Sequence, residues 1–161
     1  RVIAWKISSA IALANPLFGG GFHAVQAQTI WDQFKHAPSL LDFLNLPVPE
    51  FSAKAAHSIY FEIMGDLGFV GLIIFLLILL YGIYCRLVIK RQVRGLGVSW
   101  LWARDMADML MLAIIAYMAG GAAVSLGYFE VIYMVVMLME MLRLHVNRAA
   151  TAMATPKGAA P

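Results

Sequence analysis

The stretch "LGFVGLIIFLLILLYGIYCRLVI", residues 67–89, is almost wholly apolar and decides the fold. An α-helix that rises about 1.5 Å per residue needs about 20 apolar residues to cross about 30 Å of hydrocarbon. The rest of the chain agrees, because 62% of its 161 residues are hydrophobic and only 13% are charged. The sequence therefore predicts an all-α, polytopic integral membrane protein.

Two further apolar stretches follow this first span. Residues 106–124 and 128–144 are each close to the lower length limit for a membrane helix. They meet at "GGAAVSLGY", residues 120–128, where glycines and a serine allow the chain to turn. We predict a transmembrane hairpin over residues 106–144, and so about three spans.

The basic residues predict how the spans are oriented. Eight of the 12 flank the first connection or follow the third span: Arg86, Lys90, Arg91, Arg94, Arg104, Arg143, Arg148 and Lys157. Short loops rich in Lys and Arg stay in the cytoplasm, which assigns residues 90–105 to a cytoplasmic loop and 145–161 to a cytoplasmic tail. The tail ends in Ala, Pro and Thr, so we expect disorder there. Residues 1–66 then form a large loop on the outer side.

Composition also excludes several classes of protein. The chain starts with Arg1 and shows no signal-peptide pattern, so we expect a fragment or C-terminal portion. Cys85 is the single cysteine and cannot form an intrachain disulfide. The net charge of +3 comes from residues at span ends and not from a soluble basic face, so we expect no nucleic-acid partner.

The outer segment has three recognisable parts. "RVIAWKISSAIALA", residues 1–14, has an apolar helical period and predicts an amphipathic helix that ends at Asn15 and Pro16. "NPLFGGGF", residues 15–22, lacks the lysine of a P-loop and predicts a close-packed turn. "HAPSLLDFLNLPVPEF", residues 36–51, has three prolines and predicts only short helical pieces.

A group of polar side chains precedes the first span. Ser58, Glu62 and Asp66 recur at intervals of four on one predicted helical face, which we expect to line a wet cavity. His57 begins this helix and has the side chain most often used to take a proton from an attacking hydroxyl. In the structural alternative, His57 and Ser58 cap the helix while the carboxylates face water. Spacing alone leaves both interpretations open.

The remaining titratable residues predict no further chemistry. His23 and His36 have no helical pairing and no cysteine nearby, so we predict surface histidines, no metal and no cofactor. Four acids lie near the ends of the second and third spans, where we expect structural roles: Asp105, Asp108, Glu130 and Glu140. Glu140 has Arg143 at i+3 as a partner.

The chain resembles the C-terminal part of the O-antigen ligase and polymerase superfamily of bacterial inner-membrane enzymes. The family pattern is a histidine, then Asn, Ser or Gln, nine residues, Gly, two residues and Gly; His57, Ser58, Gly68 and Gly71 fit it. Upstream, an arginine before a tryptophan and a "PLFGGGF"-like turn also match. The wording "AAHSIYFEIMGDLGFVG" is most similar to O-glycosylation ligases of exosortase-associated systems. Many members have glutamate where Asp66 stands, which weakens any catalytic role for that residue.

The resemblance implies a function. Members transfer a glycan from an undecaprenyl pyrophosphate carrier to an acceptor hydroxyl, on lipid A core sugars or on protein, at the periplasmic face of the inner membrane. It implies that residues 1–66 are periplasmic, that His57 is the catalytic base or positions the acceptor, and that Arg1 binds the pyrophosphate. Since most of the family's spans would precede Arg1, we expect the fragment alone to be inactive.

Three alternatives stay open. A polymerase that extends a lipid-linked glycan would use the same two residues. A transporter would line a permeation path with its acids, although the spans hold no central charge. A purely structural membrane subunit would leave the double motif unexplained.

Overall fold

The computed structural model describes residues 1–45 and 53–154. Pro47, Pro49 and the end of the predicted tail, 155–161, lie outside the described residues. Within them the chain is all-helical and has no strand, so the predicted all-α class is confirmed. The helices are α1 (Val2–Ala14), α2 (Gln28–Phe34), α3 (Ile59–Val93), α4 (Leu101–Gly121) and α5 (Glu130–Ala154), with 3-10 turns at Ala24–Gln26, Asp42–Leu44 and Val98–Trp100.

α3 contains the predicted span 67–89 and is long and apolar enough to cross a membrane. It is the one helix among residues 1–45 and 53–154 that meets this description. α4 and α5 are long enough, but each carries at least three charged residues, among them Asp105 and Asp108 in α4 and Glu140 in α5. For these two helices, the membrane-spanning role stays a prediction.

The described chain divides into two compact units. Among the described residues, the first comprises residues 1–45, 53–77 and 118–128, and the second comprises residues 78–117 and 129–154. α3 and α4 each begin in one unit and end in the other.

The core of the first unit forms around α1. Ile7 and Ile11 pack with Ala24, Val25 and Trp31, all of them buried. α1 ends at Ala14 before Asn15 and Pro16, as predicted.

The amphipathic pattern predicted for α1 holds only in part, because the polar residues Ser8 and Ser9 are both fully buried. The Ser9 hydroxyl donates to the Lys6 carbonyl at 2.8 Å and accepts the Leu40 amide at 3.2 Å. These bonds lower the cost of burying that hydroxyl.

The second unit packs α3, α4 and α5 through small and flexible side chains. Its core contains Cys85 and Ile89 from α3, Ala103 and Ala107 from α4, and Met139 from α5, among others. Cys85 is buried and free, so the single cysteine takes part in packing.

Paired charges join the helices of the second unit. Arg86 of α3 donates to Asp108 of α4 at 2.6 Å. Glu140 accepts two bonds of 2.6 Å from Arg143, as the i+3 spacing predicts, and a third from the Tyr81 hydroxyl. α5 continues to Ala154, so residues 145–154, expected to belong to a disordered tail, are helical.

Candidate functional site

The spacing predicted that His57 begins the helix, and this is wrong. His57 lies in a strained turn two residues before α3. Its φ of 50° is in the left-handed region, which is uncommon for a residue other than glycine. Its backbone N–H donates to the Ser125 hydroxyl at 2.8 Å. The His57 side chain is exposed while its backbone is fixed. Backbone strain that a long-range contact holds in place is typical of functional positions.

The residue before His57 is fixed by α1. Ala56 is buried, and its carbonyl accepts a hydrogen bond of 2.6 Å from the Trp5 indole Nε1–H. The Trp5 ring also stacks on Phe61, with centroids 4.9 Å apart and planes only 4° from parallel. These two contacts hold the first helix against both sides of the histidine turn.

Arg1 lies one helical turn before Trp5 and is exposed. Four residues of helix cover about 6 Å. Trp5 contacts Ala56, the residue before His57. Arg1, the predicted phosphate-binding residue, and His57, the predicted base, therefore lie in the same compact unit. Their roles toward a substrate stay predictions.

The carboxylates of Glu62 and Asp66 are buried, with 6% and 1% of each residue exposed. The Gly127 amide donates to Glu62 at 2.8 Å. Asp66 accepts three bonds, from the His23 and Ala24 amides at 2.9 and 3.0 Å and from the Tyr128 hydroxyl at 2.9 Å. The predicted wet cavity and the alternative of carboxylates facing water are therefore both wrong.

Glu62 and Asp66 instead point into the protein interior, where they hold distant segments by hydrogen bonds. We call these two carboxylates the anchor of α3. Ser58, which the spacing placed on the same face, directly precedes α3 and is buried as well. The spacing correctly predicted that Glu62 and Asp66 share one face of the helix. The backbone amides that donate to these carboxylates belong to residues more than 40 positions away.

Burial dominates the electrostatics of this anchor. Glu62 and Asp66 precede Gly68, ahead of the apolar part of α3. Desolvation by burial raises the pKa of both carboxyls, and the amide and hydroxyl donors partly oppose this rise. Such groups are held in one place by their hydrogen bonds and are poorly exposed to a substrate.

The glycine turn docks on a break in α3 at Gly68, whose φ of 69° and ψ of −168° are not helical. The Phe69 amide donates to the Pro16 carbonyl at 2.9 Å, so the turn accepts a bond that the break releases. A Cβ on Gly19 would lie 2.6 Å from the Asp66 carbonyl, and a Cβ on Gly68 would lie 2.6 Å from the Pro16 carbonyl. The close-packed turn predicted from "NPLFGGGF" is confirmed.

Gly71, the last residue of the histidine motif, also serves this break. A Cβ there would collide with the Leu67 side chain, one turn earlier in the same helix. Both glycines of the motif are therefore explained by close packing around the kink.

The segment 118–128 supplies contacts that sequence analysis missed. Ser125 accepts the His57 amide, Gly127 and Tyr128 hold the two carboxylates, and the Met118 carbonyl accepts the Tyr60 hydroxyl at 2.8 Å. The polar residues within the apolar stretch "GGAAVSLGY" were the available signal.

The other histidines do not join His57. His23 is exposed, has a left-handed φ of 56° and contacts Tyr128 by its ring edge, while His36 is exposed in the loop after α2. In the part of the chain that the structure describes, no group of three or more His, Cys, Asp or Glu side chains is arranged to hold a metal.

Comparison with known proteins agrees with the motif analysis. Residues 1–76 match the family model described as O-antigen ligase. This stretch contains the arginine, the tryptophan, the glycine turn and the whole histidine motif, so the resemblance to the C-terminal part of the O-antigen ligase superfamily is confirmed there. No curated protein and no solved structure matches the chain.

The match supports a general class of activity. The matched family is one of membrane-embedded glycosyl-transfer enzymes that use a lipid-linked glycan donor, and the match over residues 1–76 supports an activity of that general kind. The exosortase-associated subgroup is not distinguished by the match.

Proposed function

We propose that the complete gene product transfers a glycan from an undecaprenyl pyrophosphate carrier to an acceptor hydroxyl at the periplasmic face of the inner membrane. One observation carries the proposal: the O-antigen ligase match covers both motifs, and these are the two segments that pack together at Gly19 and Gly68.

His57 is the proposed general base. Its imidazole is exposed while its backbone is held by Ser125, which suits a group that must meet a substrate in a fixed orientation. The imidazole takes the proton from the acceptor hydroxyl as that oxygen attacks C1 of the first sugar. The C1–O bond to the pyrophosphate breaks, and the carrier departs with the bonding electrons.

Arg1 is the proposed partner of the departing pyrophosphate. A guanidinium stays charged and presents a fork of donors that fits phosphate oxygens. Its exposure at the start of α1 leaves the fork accessible. Trp5, on the same helix, connects it to the segment that carries His57.

The proposed topology has three membrane helices, α3, α4 and α5. Arg86 and Arg143 are each paired with a carboxylate, which lowers the cost of bringing these charges near hydrocarbon. Residues 1–66 then lie on the periplasmic side and carry the proposed site.

The decisive variant is His57→Ala in the complete gene product, expressed in cells that lack the chromosomal copy. We expect loss of glycan transfer with normal membrane insertion, measured by mass spectrometry of cell glycans and glycoproteins. His36→Ala, another exposed histidine of the same unit, is the matched control and should behave as wild type. Normal transfer by the His57 variant would overturn the proposal.

The same experiment separates ligase from polymerase. Accumulated long lipid-linked chains indicate a ligase, and accumulated single repeat units indicate a polymerase. Arg1→Lys should be severely impaired, since lysine offers a point charge instead of a fork.

A further inference from the structure

A basic cavity lies in the second unit, where α3 ends and α4 begins. It has a volume of about 350 Å³. Its cationic lining comes from Lys90 of α3, Arg94 directly after α3, and Arg104 of α4. The proposed transfer chemistry uses none of these residues.

The charges in this cavity are unequally neutralised. Arg104 donates two bonds of 3.0–3.1 Å to Asp105, and the neighbouring Arg86 is paired with Asp108. Within residues 1–45 and 53–154, no carboxylate pairs with Lys90 or Arg94. Both of these also line a second cavity, with Arg86 and Arg91, on the adjoining surface of α3.

The rest of the cavity wall consists of apolar side chains and glycine backbone. Val93, Val98 and Leu101 line the cavity beside the cations, and Val98 is 82% exposed. Gly97 precedes the 3-10 turn that leads into α4, and Leu101, the first residue of α4, also lines the cavity. The N-terminal end of α4, which carries the positive end of the helix dipole, therefore lies beside the cavity. A cationic site with an adjoining apolar wall matches an amphiphile better than a free anion.

Aromatic residues near the cavity indicate how deep it would lie in a membrane. Trp100, the last residue of this turn, stacks on Trp102 with ring centroids 6.1 Å apart, and Tyr84 lines the second cavity. Tryptophan and tyrosine are enriched where hydrocarbon meets the headgroup layer. Basic pockets between helices at that level suit anionic lipid headgroups.

We propose that this cavity binds the phosphate of an anionic phospholipid, with its acyl chains along Val98 and Leu101. The positive-inside rule accounts for basic residues at this end of the helices. It does not require that two cations with no carboxylate partner among the described residues share one cavity. The inference rests on α3 lying in a membrane, which is part of the proposed function, and not on glycosyl transfer.

Native mass spectrometry of the complete gene product, delipidated in detergent, tests the proposal. Phosphatidylglycerol and phosphatidylcholine with the same acyl chains are the two probes. We expect a saturable preference for phosphatidylglycerol that falls about fivefold in Arg94→Gln, in line with about 1 kcal/mol per basic residue near an anionic surface. Lys90→Gln should add a similar loss.

Arg148→Gln is the matched control, because Arg148 is exposed in the same unit and lines neither cavity. Equal losses in Arg94→Gln and Arg148→Gln would overturn the proposal in favour of general charge attraction. Displacement of the lipid by inorganic phosphate alone would overturn it in favour of a free-anion site. Arg94→Lys should keep the preference, which excludes a folding defect as the cause of its loss in Arg94→Gln. Glycan transfer is not read in this experiment, so its failure is distinct from failure of the ligase proposal.

Discussion

The amide of His57 donates to the hydroxyl of Ser125 at 2.8 Å, a bond between residues 68 positions apart in the chain. It fixes the one strained residue of the histidine motif from a segment that lies beyond the family match. If His57 is the base, Ser125 is a positioning residue that acts through its backbone.

Ser125→Ala is therefore expected to impair transfer without abolishing it. Loss of one hydrogen bond costs about 1 kcal/mol, or roughly fivefold in kcat/KM, if the turn becomes free to relax. Transfer to a defined acceptor in purified membranes measures this effect. Ser125→Thr keeps the hydroxyl and should restore activity, and equal activity of all three proteins would refute the positioning role.

His57→Asn separates the backbone role of this residue from its chemistry. Asparagine adopts the left-handed conformation more readily than most residues, so the turn and the Ser125 bond should persist. We expect a thermal unfolding temperature in detergent close to that of wild type, together with loss of transfer. Retained transfer would show that the imidazole is dispensable.

Much of the fold was predictable, since composition and the run 67–89 indicate an all-α chain with one helix long and apolar enough to cross a membrane, and Pro16 marks the end of α1. Local patterns also identified the glycine turn. What could not be predicted is where that turn docks. Its contact with Gly68 joins residues about 50 positions apart, which no periodicity records.

The candidate site was predicted in its residues but not in its environment. The family pattern points to His57, yet its left-handed backbone depends on Ser125 and has no local signal. Asp66 looks like a water-facing carboxylate in sequence, because nothing nearby reveals that residues 23, 24 and 128 donate to it.

Asp66→Asn tests the anchor. The substituted amide has one acceptor oxygen and brings a donor against groups that also donate, so at least one bond is lost in a buried place. We expect a loss of about 1–3 kcal/mol in unfolding free energy. Asp32→Asn, an exposed position in the same unit, should be nearly neutral in the same thermal unfolding assay. Equal stability of both variants would contradict the anchoring role.

Acid should release the loop that follows α2. The pKa of Asp42 is lowered from 3.8 to about 2, first by bonds from the Ser39 amide and hydroxyl and then by Lys6. A lowered folded-state pKa means that this contribution is complete above pH 3.8 and is lost as the pH falls toward 2. Limited proteolysis at residues 35–45 should rise over this range. In Asp42→Asn it should already be high at neutral pH, and a protease-resistant variant would contradict the prediction.

The glycine turn allows steric and conformational costs to be separated. Gly19 and Gly21 both have positive φ, 62° and 90°, but a Cβ on Gly19 meets backbone at 2.6 Å whereas one on Gly21 meets nothing within 4 Å. Gly21→Ala should therefore cost only the backbone strain, about 1–2 kcal/mol.

Gly19→Ala should cost at least about 2 kcal/mol more, because the turn must move away from α3. Thermal unfolding of the two variants in detergent gives the comparison. Since the same movement shifts the Gly68 break that follows Asp66, Gly19→Ala should also reduce transfer while Gly21→Ala retains it. Equal stability of the two variants would mean that the turn does not pack on α3 as described.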